Sequence, residues 1–231
     1  MSFFYIIKKF TMKFKKLHSL IFSYPSYKYD INNKNIYWEK RNSKVNKKEN
    51  PNDFQIERAK IIRKHLKDSK KLLFDIGSGD ARQLNAINRL CPFLKIYASD
   101  NNDYAYKLLL KSKYKSFLIE QEEALFDLIR NINPDYISLF EVIEHLNNPE
   151  ILIQNLMKIC KSKIFISVPN TGFILHRIRF IFGRFPLQWI VNPYEHLRFW
   201  TLKDMKWWLK YIGLKNNYKI TPYKGVPILN R

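Results

Sequence analysis

Four short stretches carry residues whose types and spacing suit chemistry: Asp75-Ile-Gly-Ser-Gly-Asp-Ala81, Asp100-Asn101, Glu141-Val-Ile-Glu-His145, and the lone His196. In the first, an apolar run from Leu72 ends in an acid and is followed by Gly77 and Gly79. That pattern is a strand feeding a tight turn and a helix, the way an open α/β sheet receives a nucleotide-like ligand. Glycine permits the sharp turn and lets a ligand lie against the main chain, and the helix start offers unpaired N–H groups. Arg82 stands where a dinucleotide fingerprint places its third glycine, and no Gly-Lys-Ser/Thr follows. Dinucleotides and a phosphate-cradling P-loop are therefore both disfavoured. Asp100 lies 21 residues past Gly79, at the end of the next apolar run. A carboxylate there can accept from both hydroxyls of a ribose.

In the third stretch, Glu141, Glu144 and His145 stand at i, i+3 and i+4, which share one face if a helical turn begins there. With His196 they make two carboxylates and two imidazoles. Such a set can hold Mg²⁺, Mn²⁺ or Fe²⁺ with positions open for substrate oxygens. Alternatively, His145 or His196 serves as a metal-free base beside Glu144, or the group only shapes its loop.

The elements that must position these residues alternate in type. A helix is expected from Asn50-Pro51, with proline at the first helical position and Asp53 in the first turn. Strands are expected at 72–76, 95–100, 116–119, 135–140 and 163–168, separated by helices over 81–90, 104–111, 122–132 and 149–160. Strands alternating with helices give a parallel sheet with helices on both faces and right-handed crossovers. After Pro169-Asn170 the texture becomes basic and strongly apolar from Phe173 to Ile190, with Arg177, Arg179 and Arg184 interspersed. This reads as a lid packed over the ligand edge, or as an in-plane amphipathic helix gripping anionic lipid. A last helix starts at a capping-box pattern, Thr201 to Asp204, and stops at Gly213. Trp208 falls on its inward face and Trp207 does not. One strand is expected at 218–221, and a partner at 226–229 is interrupted by Pro227.

The formal charge of +21 invites a nucleic-acid or membrane partner, but residues 1–50 alone contribute +9, from twelve Lys/Arg and three acids. The rest is scattered lysine, and no RNA-binding or zinc-finger spacing is present, so nucleic acid is not the expected partner. Residues 1–50 read as a basic, partly irregular extension to a domain over 51–231 whose lid insertion covers about 171–200. The apolar runs are far shorter than the roughly 20 residues a membrane span needs. Ser2 to Lys9 is too short for a secretory signal, and Met12 is an alternative start. Cys91 and Cys160 show no metal or redox spacing and read as reduced thiols. A cytoplasmic protein is expected, with peripheral membrane contact through 173–190 as a variant.

Together, Asp75-Ile-Gly-Ser-Gly-Asp-Ala81, Asp100 and Glu141-Val-Ile-Glu-His-Leu146 resemble the class I S-adenosylmethionine-dependent methyltransferases. Val168-Pro-Asn-Thr-Gly172, Gly183-Arg-Phe-Pro186 and Glu195-His-Leu-Arg-Phe-Trp-Thr201 are similar to the MetW-like, methyltransferase type 11 or 12 group, and more distantly to ubiquinone-pathway O-methyltransferases. The similarity spans about residues 51–221, and Ala81 replaces the family's third motif glycine. The resemblance implies a Rossmann-like, mostly parallel sheet whose final antiparallel strands this chain is short for. It implies S-adenosylmethionine along Asp75, Gly77 and Gly79, with its ribose on Asp100 and its adenine near Glu120 and Gln121. Ser78, Asn101 and Glu141 complete the expected cofactor set. Small-RNA 2′-O-methyltransferases and ubiquinone O-methyltransferases use a similar Glu-x-x-Glu-His with a distant His. Methyl transfer from a sulfonium needs alignment and an electron-rich nucleophile but no acid for its neutral leaving group. The expected activity is O-methylation of a small-molecule or lipid-linked acceptor. The alternatives are an accessory protein without turnover of its own, and an RNA 2′-O-methyltransferase.

Overall fold

The computed structural model describes His18, Ile21, Phe22 and residues 50–66, 70–186, 196–214 and 217–223. Its centre is a five-stranded parallel sheet in the order β3-β2-β1-β4-β5. The strands are β1 (Leu72–Ile76), β2 (Lys95–Asp100), β3 (Lys115–Leu118), β4 (Tyr136–Phe140) and β5 (Lys163–Ser167). The helices are α1 (Asp53–Arg63), α2 (Arg82–Leu90), α3 (Asp103–Leu109), α4 (Glu122–Ile132), α5 (Pro149–Ile159), α6 (Ile174–Ile181) and α7 (Leu202–Tyr211). The order reverses between β1 and β4, and that switch point opens a crevice at the carboxyl ends of the strands.

Alternation along the strands divides the core. Leu73 and Tyr136 join Ala59, Ile62, Leu84 and Ile87 on one face of the sheet. Phe74 and Ile137 join Leu125, Ile129, Leu152, Leu156 and Trp208 on the other. Both faces are buried, which explains why β1 and β4 read as almost continuous apolar runs.

Helix α1 departs from expectation at its start. Asn52 is the N-cap, exchanging bonds with Gln55 in a capping box, so Pro51 precedes the helix. An asparagine oxygen that can take the N3 amide outcompetes proline's preset φ as the start signal. Thr201 and Asp204 form the expected box on α7. Trp208 is 4% exposed and Trp207 65% exposed, as the helical spacing requires.

The strand expected at 218–221 does not form among the described residues. Tyr218 and Ile220 instead pack beside the second core cluster. Pro222 lacks the amide that a ladder beside β5 would use. The expected strand at 226–229 and most of the extension over 1–50 lie outside the described residues. No described helix is long and apolar enough to cross a membrane.

Candidate functional site

The turn after β1 is set by backbone conformation. Gly77, Gly79 and Ala81 have φ of +72°, +57° and +60°, in the region that disfavours residues with a Cβ. At Gly77 a Cβ would lie 2.5 Å from Cγ2 of Val142, so glycine lets the loops after β1 and β4 touch. Ala81 is the N-cap of α2 and makes no side-chain cap. A left-handed alanine costs about 1 kcal/mol relative to glycine, a burden the rest of the turn must carry.

The turn is stitched to the end of β2. Ser78 N donates to Ser99 O at 2.9 Å, and Ser99 Oγ donates to Asp75 O at 3.1 Å. Gly79 N donates to Asp100 Oδ2 at 2.9 Å, and Asn102 N to Asp100 Oδ1 at 3.0 Å. The Asp75 carboxyl, 2% exposed, accepts from Ser78 Oγ at 2.7 Å and from Ser138 Oγ on β4. It braces the turn from inside. Burial pushes its pKa up to about 7 against the pull of those two hydroxyls. Burial also raises Asp100, opposed by its backbone donors. Asn101, Glu120 and Gln121 are exposed along the same edge, Gln121 as the N-cap of α4. The fold thus brings every residue of the expected cofactor set to the carboxyl edge of β1, β2, β3 and β4.

The turn after β4 carries the second group. Glu141 has φ of +57° and leads through Val142 into a single 3₁₀ turn, Ile143–His145. The backbone oxygen of Glu144 accepts from Leu197 N at 2.8 Å and Arg198 N at 3.1 Å, holding the later segment against this turn. That contact brings His196 beside His145, with ring centroids 4.7 Å apart in an edge-to-face arrangement. Ligand atoms of Glu144, His145 and His196 all lie within 4.8 Å of one another. Glu144 is 1% exposed, and neither carboxylate oxygen has a hydrogen-bond partner. Burial first, and the nearby Glu141 charge second, raise its pKa well above the usual carboxylate range. Burial and the adjacent His145 lower His196 to about 4, keeping it neutral near pH 7.

Glu141 stands apart from this cluster. Its Oε1 accepts from Ser167 Oγ at 2.8 Å and from Arg58 Nη2 at 3.1 Å. Arg58, on α1, also donates to Gln83 Oε1 and Tyr223 Oη, and its guanidinium lies 5.4 Å from the Phe140 ring centroid. Sequence reasoning missed Arg58. The available signal was an arginine flanked by Gln55, Ala59 and Ile62, the buried face of α1.

Residues 21–219 match the model of a family described as a methyltransferase domain. No match was found among curated proteins. Among solved structures, the plantazolicin methyltransferase BpumL in complex with S-adenosylhomocysteine is 17% identical with a TM-score of 0.55, covering 91% of this chain and 78% of that one. A complex of the Haloferax volcanii Trm112 methyltransferase activator with a methyltransferase described as such only by inference is 11% identical with a TM-score of 0.51, covering 76% and 73%. At these identities the likeness is one of fold, while the family match extends over most of the chain. With its strand order, left-handed glycine turn and β2-terminal acid, the chain belongs to the class I S-adenosylmethionine-dependent methyltransferases.

Proposed function

We propose that this enzyme transfers a methyl group from S-adenosylmethionine to an oxygen of a small-molecule or lipid-linked acceptor. The observation that carries the proposal is the cluster Glu144, His145 and His196 beside the cofactor turn. Gly77, Ser78, Gly79 and Asp100 suit an adenosine-type cofactor, and Asp100, which ends β2, is the carboxylate we assign to its ribose diol. Arg58 and Glu141 present opposite charges next to Phe140 and suit the carboxylate and ammonium of the methionine part. A hydroxyl acceptor must give up its proton as the methyl arrives. Neutral His196 can take it, with His145 and Glu144 within reach to share the charge.

The Glu144 oxygens, which accept no hydrogen bond, favour a second reading, in which a divalent cation completes the site. Glu144, His145 and His196 would hold it, and one carboxylate with two imidazoles suits Mn²⁺ or Fe²⁺ better than Mg²⁺. The ion would make the acceptor hydroxyl more acidic. Glu141, the fourth expected ligand, is committed to Arg58 and Ser167.

The test is formation of S-adenosylhomocysteine with fractionated metabolite and lipid extracts. Glu144→Gln and His196→Ala should each cut turnover by about 10²-fold or more while calorimetry still shows cofactor binding. Loss of activity in chelator, restored by Mn²⁺, selects the metal reading, and full activity in excess chelator selects the imidazole base. Cofactor binding without turnover on any fraction would support an accessory protein instead.

A further inference from the structure

Arg58 is gripped by three separate parts of the chain. Its Nη1 donates to Gln83 Oε1 at 3.1 Å, its Nη2 to Glu141 Oε1 at 3.1 Å, and its Nε to Tyr223 Oη at 3.0 Å. Gln83 is a buried residue of the first turn of α2, two positions past Ala81. Its amide nitrogen donates to Gln55 O on α1 at 3.3 Å, which turns its oxygen toward Arg58. Glu141 follows β4 directly, and Tyr223 lies well beyond α7. A guanidinium carries five N–H donors in one plane, so three bonds to three elements fix that plane. Among the described residues, the other two N–H groups, one on each Nη, make no hydrogen bond.

The bond from Nε is the unusual one. An arginine beside a carboxylate favours two parallel bonds, and Nε with Nη2 is one of the edges that can make them. Glu141 takes only Nη2. Its Oε1 accepts that bond together with one from Ser167 Oγ at 2.8 Å, and among the described residues its Oε2 accepts none. The N–H that would complete the pair is Nε, and the Tyr223 hydroxyl stands on it. Tyr223 is in turn braced by Phe54 of α1, edge to face with ring centroids 6.3 Å apart. Burial raises the Tyr223 pKa against the pull of Arg58, so the side chain is a neutral phenol at pH 7. It covers the Nε proton without bringing a second negative charge.

We infer that Tyr223 is a positioning residue for the cofactor. By occupying Arg58 Nε it keeps Glu141 from closing a bidentate pair, which leaves two guanidinium N–H groups for the methionine carboxylate and Glu141 Oε2 for the ammonium. The inference rests on the assignment of Arg58 and Glu141 to the methionine part of S-adenosylmethionine. Tyr223 acts through Arg58 and touches neither the cofactor nor the acceptor. Without its hydroxyl, Glu141 can close on both Nε and Nη2. The two charges then satisfy each other, and the protein keeps its fold while losing its hold on the amino-acid end of the ligand. A tyrosine that only tied down the later chain would weaken every ligand alike when removed.

The experiment is calorimetric titration of the full chain and its Tyr223→Phe variant with two ligands. S-adenosylhomocysteine carries the amino-acid end, whereas 5′-methylthioadenosine keeps the adenosine and the sulfur but has neither the carboxylate nor the ammonium. The variant should bind S-adenosylhomocysteine about tenfold more weakly, the size expected for a misplaced hydrogen bond to a charged group. Its affinity for 5′-methylthioadenosine and its melting temperature should stay those of the parent, because Glu141 takes over the freed N–H. A variant that binds S-adenosylhomocysteine like the parent, or that weakens toward both ligands alike, would overturn the inference and leave the cofactor assignment standing. A parent that binds neither ligand would overturn both.

Discussion

In the turn after β1, the chain satisfies its own buried polar groups: Asp75 rests on Ser78 and Ser138, and Asp100 receives Gly79 and Asn102. In the turn after β4, on the strand paired to β1, Glu144 is as deeply buried but neither of its oxygens accepts a hydrogen bond, and His145 Nε2 lies 3.9 Å from Oε1. Burying a carboxyl group without hydrogen bonds destabilises the fold, so its presence there calls for a physical reason. The first turn is a cradle preorganised by the chain itself, and under the function proposed above the acid–imidazole group is the part that an acceptor would complete.

The largest effect should come from breaking the cradle at its closest approach. Gly77→Ala sets a Cβ 2.5 Å from Val142 at φ +72°, combining a clash with a strained backbone. We expect a loss of about 2–4 kcal/mol in stability and of detectable cofactor binding, read by denaturant unfolding and calorimetry. Val142→Ala on that background should recover part of the stability but not the backbone term. Next, Glu144→Gln should cut turnover by about 10²-fold or more while leaving cofactor affinity within error. Its stability above pH 7 should match or exceed that of the parent, because a raised carboxyl pKa opposes folding wherever the group must ionise. The same exchange at Asp100 should behave oppositely, weakening cofactor binding first.

A smaller effect is the pH dependence of stability. Asp75 has a folded pKa of about 7, above its unfolded value, so its contribution is fully present below about pH 4 and is lost as pH rises through 7. His176 and His196, lowered to about 4 by burial, act in the other direction, and stability falls as pH drops below their unfolded value of about 6.5. Glu144, also raised by burial, acts with Asp75, so two carboxyls oppose two imidazoles; thermal melts should therefore change little between pH 4.5 and 6.5, and His176→Gln should unmask a decline with rising pH. Least affected should be Trp207→Ser, at a position 65% exposed and stacked on Tyr211, with a stability change within about 0.5 kcal/mol.

Much of the cradle was legible because its chemistry is local. Two glycines, an acid at each strand end and a helix start all fall on neighbouring residues with a fixed period, so the sequence could place them. The acid–imidazole group was legible in composition but only partly in membership. Glu141 and Glu144 stand three residues apart, yet the left-handed turn at Glu141 sends one carboxylate to Arg58 and the other into the core. No helical-face argument anticipates that, since the turn is a single 3₁₀ loop rather than the start of a helix. Arg58 escaped because its partners lie 25, 83 and 165 residues away. The burial of Arg179 was hidden for the same reason: its guanidinium donates to the backbone oxygen of Ile21, 158 residues away, which no local pattern connects to it.

The register of the sheet also sets a timetable. Leu72 pairs with Lys95 and Tyr136 with Lys163, so β1 with β2 and β4 with β5 can each form from a nearby stretch of chain. Only the seam between them, Leu73 on Tyr136, joins residues 63 positions apart. Closing a loop that long costs more entropy and follows the local pairings, so the two halves should form before they join. Asp75 lies on one side of that seam and Ser138 on the other. A ribosome making this protein releases the glycine turn long before the strand that locks it, and the nascent chain can gain cofactor affinity only after β4 has emerged and docked.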